Sequence, residues 1–526
     1  MERNFFLLDR MIGYVGGRVY YSLSTFYRLH QQSPLYPKLY PFWEAMIGLP
    51  TSYAVGPMEA APERSQWRKK LDVATAGVRF FRSFIGHPRR MHQFKAWWQG
   101  RAGQTREVLK RTDDPLVLTE EFYRLWRDAG ARWGITLVND AYIFTLYGTA
   151  LKLFTRWGLD DNQALLSNLL CGGEAIESVE IFRSVLRIAE HVGADTASSD
   201  LFQRLGDAQL VDLYRKRLLE GPLLELLDTH IGRYGDRSME ELKMETPSLR
   251  EDPAILFQGI RRLLGTTHAS VTSDANEQAL RAAAEAELDR HFGRFSVRKR
   301  ILRRVVDELR RVVAHRENSR YCRSELFGLC KDIFARLGQY LADKGAIDDA
   351  RDVFYLGIEE IMGYVDGTGL DERLQETVQR RREQVTEYNR QNVAESFTTR
   401  GGLRDNSLFA EAEEETGELR GLGSSMGVAR GRACVVHDPG SIDRLPENTI
   451  LVAKETDPGW LFLMLAARGI VVERGSMLSH TAITGRKFGI PTVVGVPHAT
   501  SRIPDGAELE IDGGNGFVRL LEKEDE

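Results

Sequence analysis

Two sets of residues in this chain could do chemistry together. The first is Ser479-His480, a histidine set directly behind a hydroxyl residue. An imidazole nitrogen is a nucleophile that can take up a phosphoryl group. The backbone N–H groups and dipole at a helix start favour the anion so formed. The flanking residues predict that address for His480. Ile470 to Val472 read as a buried strand and Arg474 to Leu478 as a loop containing Gly475. Ser479 then reads as the N-cap of a short helix from His480 to Phe488, stopped by Gly489 and Pro491. The blander alternative is a histidine that merely caps or packs at a helix start.

The second set lies on a helix. From Lys299 onward, Ile301, Leu302, Val305, Val306, Leu309, Val312 and Val313 form an apolar stripe. Seven-residue steps along that stripe land on Arg316, Arg320 and Arg323. Guanidiniums on a face that was buried one turn earlier need a cavity, a carboxylate or an anionic ligand, because an unpaired buried cation is costly. Their forked donors suit phosphate oxygens, and the i, i+4, i+7 spacing sets them along one wall. The alternative is an exposed continuation of the helix, or salt bridges to the protein's own Asp and Glu.

The window around His480 resembles the phosphohistidine swivelling domain of the phosphoenolpyruvate-utilising enzymes, the family of pyruvate phosphate dikinase, phosphoenolpyruvate synthase and rifampin phosphotransferase. The resemblance rests on Gly475, Ser479-His480, Ala482, Arg486, Gly489-Ile490-Pro491 and Val494-Gly495. Ser476 stands where the family commonly has a second Gly, and Gly485 where it commonly has Ala. Further out, Gly427 to Val436 look like the opening hairpin, Ile450 to Trp460 like a strand with its Thr-Asp-Pro turn, and Asp512 to Leu520 like the closing strand pair. Upstream, Gly17 to Arg28, Arg233 to Arg237, Pro247 to Pro253, Arg316 to Arg320 and Asp352 to Ile361 resemble the substrate domain of rifampin phosphotransferases. The resemblance implies that Arg316 and Arg320 line the phosphoryl-transfer pocket, Arg320 replacing a lysine. It also implies that Gly475, Ser479 and Arg486 steady the phosphoryl group on His480.

These residues need elements to position them. The pattern predicts an α+β multidomain protein: a helical substrate-binding domain over residues 1–395, a linker over 396–422, and a small β/β/α swivelling domain over 423–526. Helices are expected at Ala175 to His191, Asp252 to Leu264, Asn276 to Arg290 and Ser324 to Lys344. Thr398 to Gly402, Asp405 to Ser407 and the acidic run Glu413 to Glu415 have linker composition. The aromatics Tyr20, Tyr21, Phe26, Tyr27, Tyr36, Tyr40, Phe42 and Trp43 are expected to form core.

Of 526 residues, 42% are hydrophobic and 28% charged, and the net charge of -4 makes no global case for nucleic-acid or membrane binding. Cys171, Cys322, Cys330 and Cys434 lack metal or redox spacing, so no metal site is expected, and reduced thiols in the cytoplasm are the default. The N-terminus does not read as a signal peptide, and no apolar run approaches the ~20 residues needed to span a bilayer.

The resulting expectation is a phosphotransferase component. His480 would carry a phosphoryl group to a hydroxyl of a small-molecule or carrier-bound substrate, with Arg316 and Arg320 neutralising charge on the group in transit. In the family the ATP-grasp domain comes first, and this chain begins where the second domain would. ATP and Mg are therefore expected through a separate ATP-grasp subunit, with no cofactor bound by this chain. Two alternatives remain. One is a dehydratase that phosphorylates a hydroxyl for later elimination in natural-product biosynthesis. The other is a non-catalytic binding or regulatory relic.

Overall fold

The computed structural model describes residues 10–31, 66–159, 163–172, 177–238, 242–264, 274–293, 295–369, 373–391, 419–437, 448–457 and 460–521, with isolated positions 36, 40, 397, 445 and 446. Most of the expected linker, together with Phe42 and Trp43, lies outside them.

One helix organises the helical part. It runs from Val297 to Asp343, 47 residues, and its N-cap Ser296 accepts from the Lys299 N–H. The expected stripe is buried at Leu302, Val306, Leu309 and Val312, while Ile301 is exposed. Expected as separate segments, the stripe and Ser324 to Lys344 form a single helix, because no Pro interrupts the good helix formers between them. Its second half packs Cys322, Leu326, Leu329, Ile333 and Leu337 against Trp98 of the helix His87–Arg111 and Leu118, Phe122 and Leu125 of the helix Pro115–Arg132. A second core joins the helices Glu177–Ala194, Gly221–Tyr234 and Ala254–Leu263 through Phe182, Val185, Ile188, Leu227, Phe257 and Ile260.

Near the N-terminus, β1 (Ile12–Val15) and β2 (Arg18–Tyr21) form a hairpin. The expectation of an aromatic core here holds for Tyr27, which is buried, but not for Tyr21, which stands on the exposed face of β2. A two-stranded ribbon has too little partner surface to cover both faces.

The C-terminal sheet has eight strands: β3 (Leu419–Arg420), β4 (Leu422–Ser425), β5 (Val428–Val436), β6 (Thr449–Ala453), β7 (Gly469–Val472), β8 (Thr492–Val494), β9 (Glu508–Asp512) and β10 (Phe517–Leu520). Their order is β3-β10-β9-β5-β6-β7-β8-β4. The central strands β5 to β8 are parallel. Because β3 pairs with β10 and β4 with β8, the short segment 419–425 touches both ends of the sheet and closes it on itself. One face packs Val452, Val471, Val493 and Ile511 into an inner core. The other packs Leu451, Ile470 and Val472 against Trp460, Met464 and Ala482. Parallel strands covered on both faces explain the unbroken apolar runs.

Two details differ from expectation. Gly427 to Val436 is not a hairpin but mainly one long strand, β5, parallel to β6 and antiparallel to β9. The sheet also begins inside the segment expected as linker, at Leu419. No described helix is long and apolar enough to cross a membrane.

Candidate functional site

His480 is the first residue of the helix His480–Phe488, and Ser479 caps it, its Oγ accepting from the Ala482 N–H at 3.3 Å. Such a cap is worth about 1 kcal/mol. The loop ahead closes tightly on the cap. Gly475 has φ of 152°, and a Cβ there would stand 3.1 Å from both Ser479 Oγ and Val494 Cβ. Any side chain at 475 would strain the backbone and crowd the cap. From the Thr-Asp-Pro turn, the Thr456 hydroxyl shares a 2.8 Å hydrogen bond with the Thr481 hydroxyl. Toward the end of the helix Gly485 lies against β8, where a Cβ would meet Thr492 Oγ1 at 2.2 Å. The glycine that departs from the family pattern is therefore matched to Thr492.

The helical body covers His480, leaving it 6% exposed. Its Nε2 lies 3.3 Å from Thr484 Oγ1, one turn along the same helix. Its Nδ1 faces Glu317 Oε2 on the long helix at 3.8 Å and has no hydrogen-bond partner among the described residues. Glu317 Oε1 accepts from Arg320 Nη1 at 2.9 Å. Burial pushes the Glu317 carboxyl up, but Arg320, His480 and Arg316 outweigh it and hold the group down to about 2. Glu317 is thus an ionised carboxylate aimed at an imidazole. Beside it, Arg316 Nε stands 3.4 Å from Asp140 Oδ1. Burial, helped by Arg320, lowers the Arg316 pKa, while burial raises that of Asp140 against the pull of Arg316, Arg320 and Arg323.

Docking of the sheet domain on the body creates this arrangement. Leu478, 1% exposed, inserts among Ile143, Leu309 and Val312. Phe488, at the far end of the His480 helix, meets Phe182 edge-on with ring centroids 5.1 Å apart. Leu461 joins the second helical core, and Ser167 Oγ donates to the Ser424 carbonyl at 2.9 Å. Apolar plugs at both ends of the helix thus seat His480 over Glu317.

The structure brings His480, Arg316 and Arg320 into one charged cluster, with Ser479 and Gly475 shaping the loop behind. In this geometry each of the two arginines holds a carboxylate of the protein, as the alternative reading of their spacing allowed. Arg486 departs from expectation. Its Nη1 donates to the Ser424 carbonyl at 3.2 Å, bracing β4. It lies six residues beyond His480, about 9 Å along the axis. Arg233 closes the helix Gly221–Tyr234 and pairs with Glu177 at 3.2 Å, a local structural role. Glu317, Thr484 and Asp140 were not singled out from sequence. Glu317 was visible inside Arg316-Glu-Asn-Ser-Arg320, and Thr484 by its i+4 spacing from His480.

Comparison with known proteins gives two matches along the chain. The mobile domain of PEP-utilising enzymes matches residues 445–516, which contain His480. The fourth domain of rifampicin phosphotransferase matches residues 138–317, which contain Asp140, Arg316 and Glu317. Rifampicin phosphotransferase of Streptomyces sviceus is 28% identical over 56% of this chain and 34% of its own length. That of Bacillus cereus is 24% identical over 66% of this chain and 39% of its own. Prodigiosin synthesizing transferase PigC of Serratia marcescens is 26% identical over 71% of this chain and 42% of its own. The chain thus spans about a third to two fifths of the length of these relatives. The chain is similar to the rifampicin phosphotransferases, and one polypeptide carries matches both to their fourth domain and to the mobile domain of PEP-utilising enzymes.

Proposed function

We propose that this chain is the phosphoryl-carrying and acceptor-binding component of a phosphotransferase. His480 takes a phosphoryl group on Nε2 at a donor site and delivers it to a substrate hydroxyl at the Arg316-Glu317-Arg320 cluster. The observation that carries this reading is the 3.8 Å approach of His480 Nδ1 to the ionised Glu317 carboxylate. A proton held on Nδ1 toward Glu317 leaves the Nε2 lone pair for phosphorus. In the charging step that pair forms the N–P bond while the donor's bridging oxygen departs with its electrons. In the delivery step the acceptor oxygen bonds phosphorus and the N–P pair returns to the ring. The ring then takes the hydroxyl proton, and the resulting imidazolium pairs with Glu317.

Arg320 and Arg316 are held near the transfer point by carboxylates of the protein. On arrival of a phosphoryl group their guanidiniums exchange those partners for phosphoryl oxygens, which stabilises charge where it develops. Charging requires the sheet domain to leave this seat, and the linker composition of the sequence between residue 396 and the sheet's first strand at Leu419 suits a tether that keeps the effective concentration high on return.

The donor we propose is ATP with Mg, presented by a separate ATP-grasp unit. In this reading the ion arrives bound to the nucleotide. The acceptor is a hydroxyl on a small molecule or carrier-bound intermediate. In a system reconstituted with an ATP-grasp protein, His480→Ala is expected to abolish turnover with the fold intact. Near-normal turnover of that variant would exclude the relay.

A further inference from the structure

On the side of the long helix away from His480 there is a cavity of about 200 Å³. His315, Asn318, Ser319 and Cys322 line it at i, i+3, i+4 and i+7 spacing, whereas Arg316, Glu317 and Arg320 project from the other face. Across from them the helix His87–Arg111 contributes Met91, His92, Phe94 and Lys95. The floor is apolar and buried at Met91, Phe94 and Cys322, and His92 is exposed.

His315 is the unusual member. It is 5% exposed, and its Nε2 is buried without a hydrogen-bond partner among the described residues. Its ring meets the edge of His92 at 5.2 Å between centroids. Burial lowers its pKa to about 4, and the neighbouring Arg311 and Lys95 act in the same direction, so the ring is neutral. Lys95 pairs with Glu177 at 2.7 Å, and Glu177 also pairs with Arg233 at 3.2 Å, so these three groups together keep one positive charge. A buried polar atom left unpaired is unfavourable, and a ligand atom would relieve it.

We propose that this cavity is a second ligand site, distinct from the phosphoryl-transfer cluster, that takes a small organic monoacid. The carboxylate sits between Lys95 and His92, the apolar body lies on Met91, Phe94 and Cys322, and His315 hydrogen-bonds to the ligand. The cavity is smaller than the ~300–1,000 Å³ of clefts that hold drug-sized molecules, so the ligand is compact. Nothing in this reading depends on the phosphoryl relay.

The test is isothermal titration calorimetry of the full chain with benzoate and with benzamide, which has the same shape without the charge. Benzoate is expected to saturate one site at submillimolar concentration, with benzamide binding about tenfold or more weakly. His315→Leu and Lys95→Gln should each weaken benzoate by about tenfold. Lys95 is a third exposed, so Lys95→Gln carries the test if the leucine variant fails to fold. Equal affinity for benzamide, benzoate affinity unchanged in the folded variants, or no saturable heat up to about 10 mM benzoate overturns the proposal.

Discussion

His480 Nδ1 and Glu317 Oε2 lie 3.8 Å apart although 163 positions separate them in the chain, and both side chains are buried. The pair exists only because the sheet domain seats its helix start on the long helix. Each residue therefore reports on the docked state.

The Glu317 carboxylate contributes to stability with a defined pH dependence. Its folded pKa lies at about 2, below the ordinary 4.5, so the contribution is fully present above the unfolded value and is lost as pH falls toward 2. Wild type should therefore lose more unfolding free energy than Glu317→Gln between about pH 5 and pH 2 in denaturant titrations. Parallel curves for the two proteins would show that Glu317 is not held ionised.

Replacing Arg320 with Ala should leave charging of His480 intact but slow discharge to the acceptor by about a hundredfold, the usual cost of one lost charge-stabilising contact. Arg320→Lys should be milder. Arg316→Ala should behave like Arg320→Ala. Single-turnover decay of labelled phosphohistidine measures this, and normal decay in the Ala variants would make both arginines structural partners of Glu317 and Asp140.

Leu478→Ala should loosen the seat. Truncating a buried leucine costs about 2–5 kcal/mol, here taken from the docked state rather than from the core of either part. Faster proteolysis between the two parts, with an unchanged main unfolding transition, is the expected result. Unchanged proteolysis would mean that Leu478 does not hold the domain down.

Gly485→Ala should destabilise the sheet domain by about 1–3 kcal/mol through overpacking against Thr492. Thr492→Ala should recover part of that loss in thermal unfolding. A neutral Gly485→Ala would show that the helix can shift away from β8.

Local signals made the site's frame legible from sequence. The Ser479 cap, the helix from His480 to Phe488 and the stop at Gly489 are all set within ten residues, and each appears as expected. The stripe that ends in arginines was likewise visible. Glu317 was not singled out, because a carboxylate among arginines reads as a local ion pair until a distant histidine is brought to it. The seat of Leu478 among Ile143, Leu309 and Val312 carried no local signal at all. Strand pairing was lost for the same reason: the segment that forms β5 resembled a hairpin, but its partners β6 and β9 are set by long-range closure of the sheet.

In the proposed relay His480 itself carries the phosphoryl group. The most direct measurement incubates the full chain with an ATP-grasp protein, Mg and γ-labelled or β-labelled ATP, followed by peptide mapping under alkaline conditions. Acid-labile, base-stable label is expected on the peptide containing His480, and none in a His480→Ala variant that keeps the native circular dichroism spectrum. Label that survives His480→Ala, or that maps to another residue, would contradict the relay.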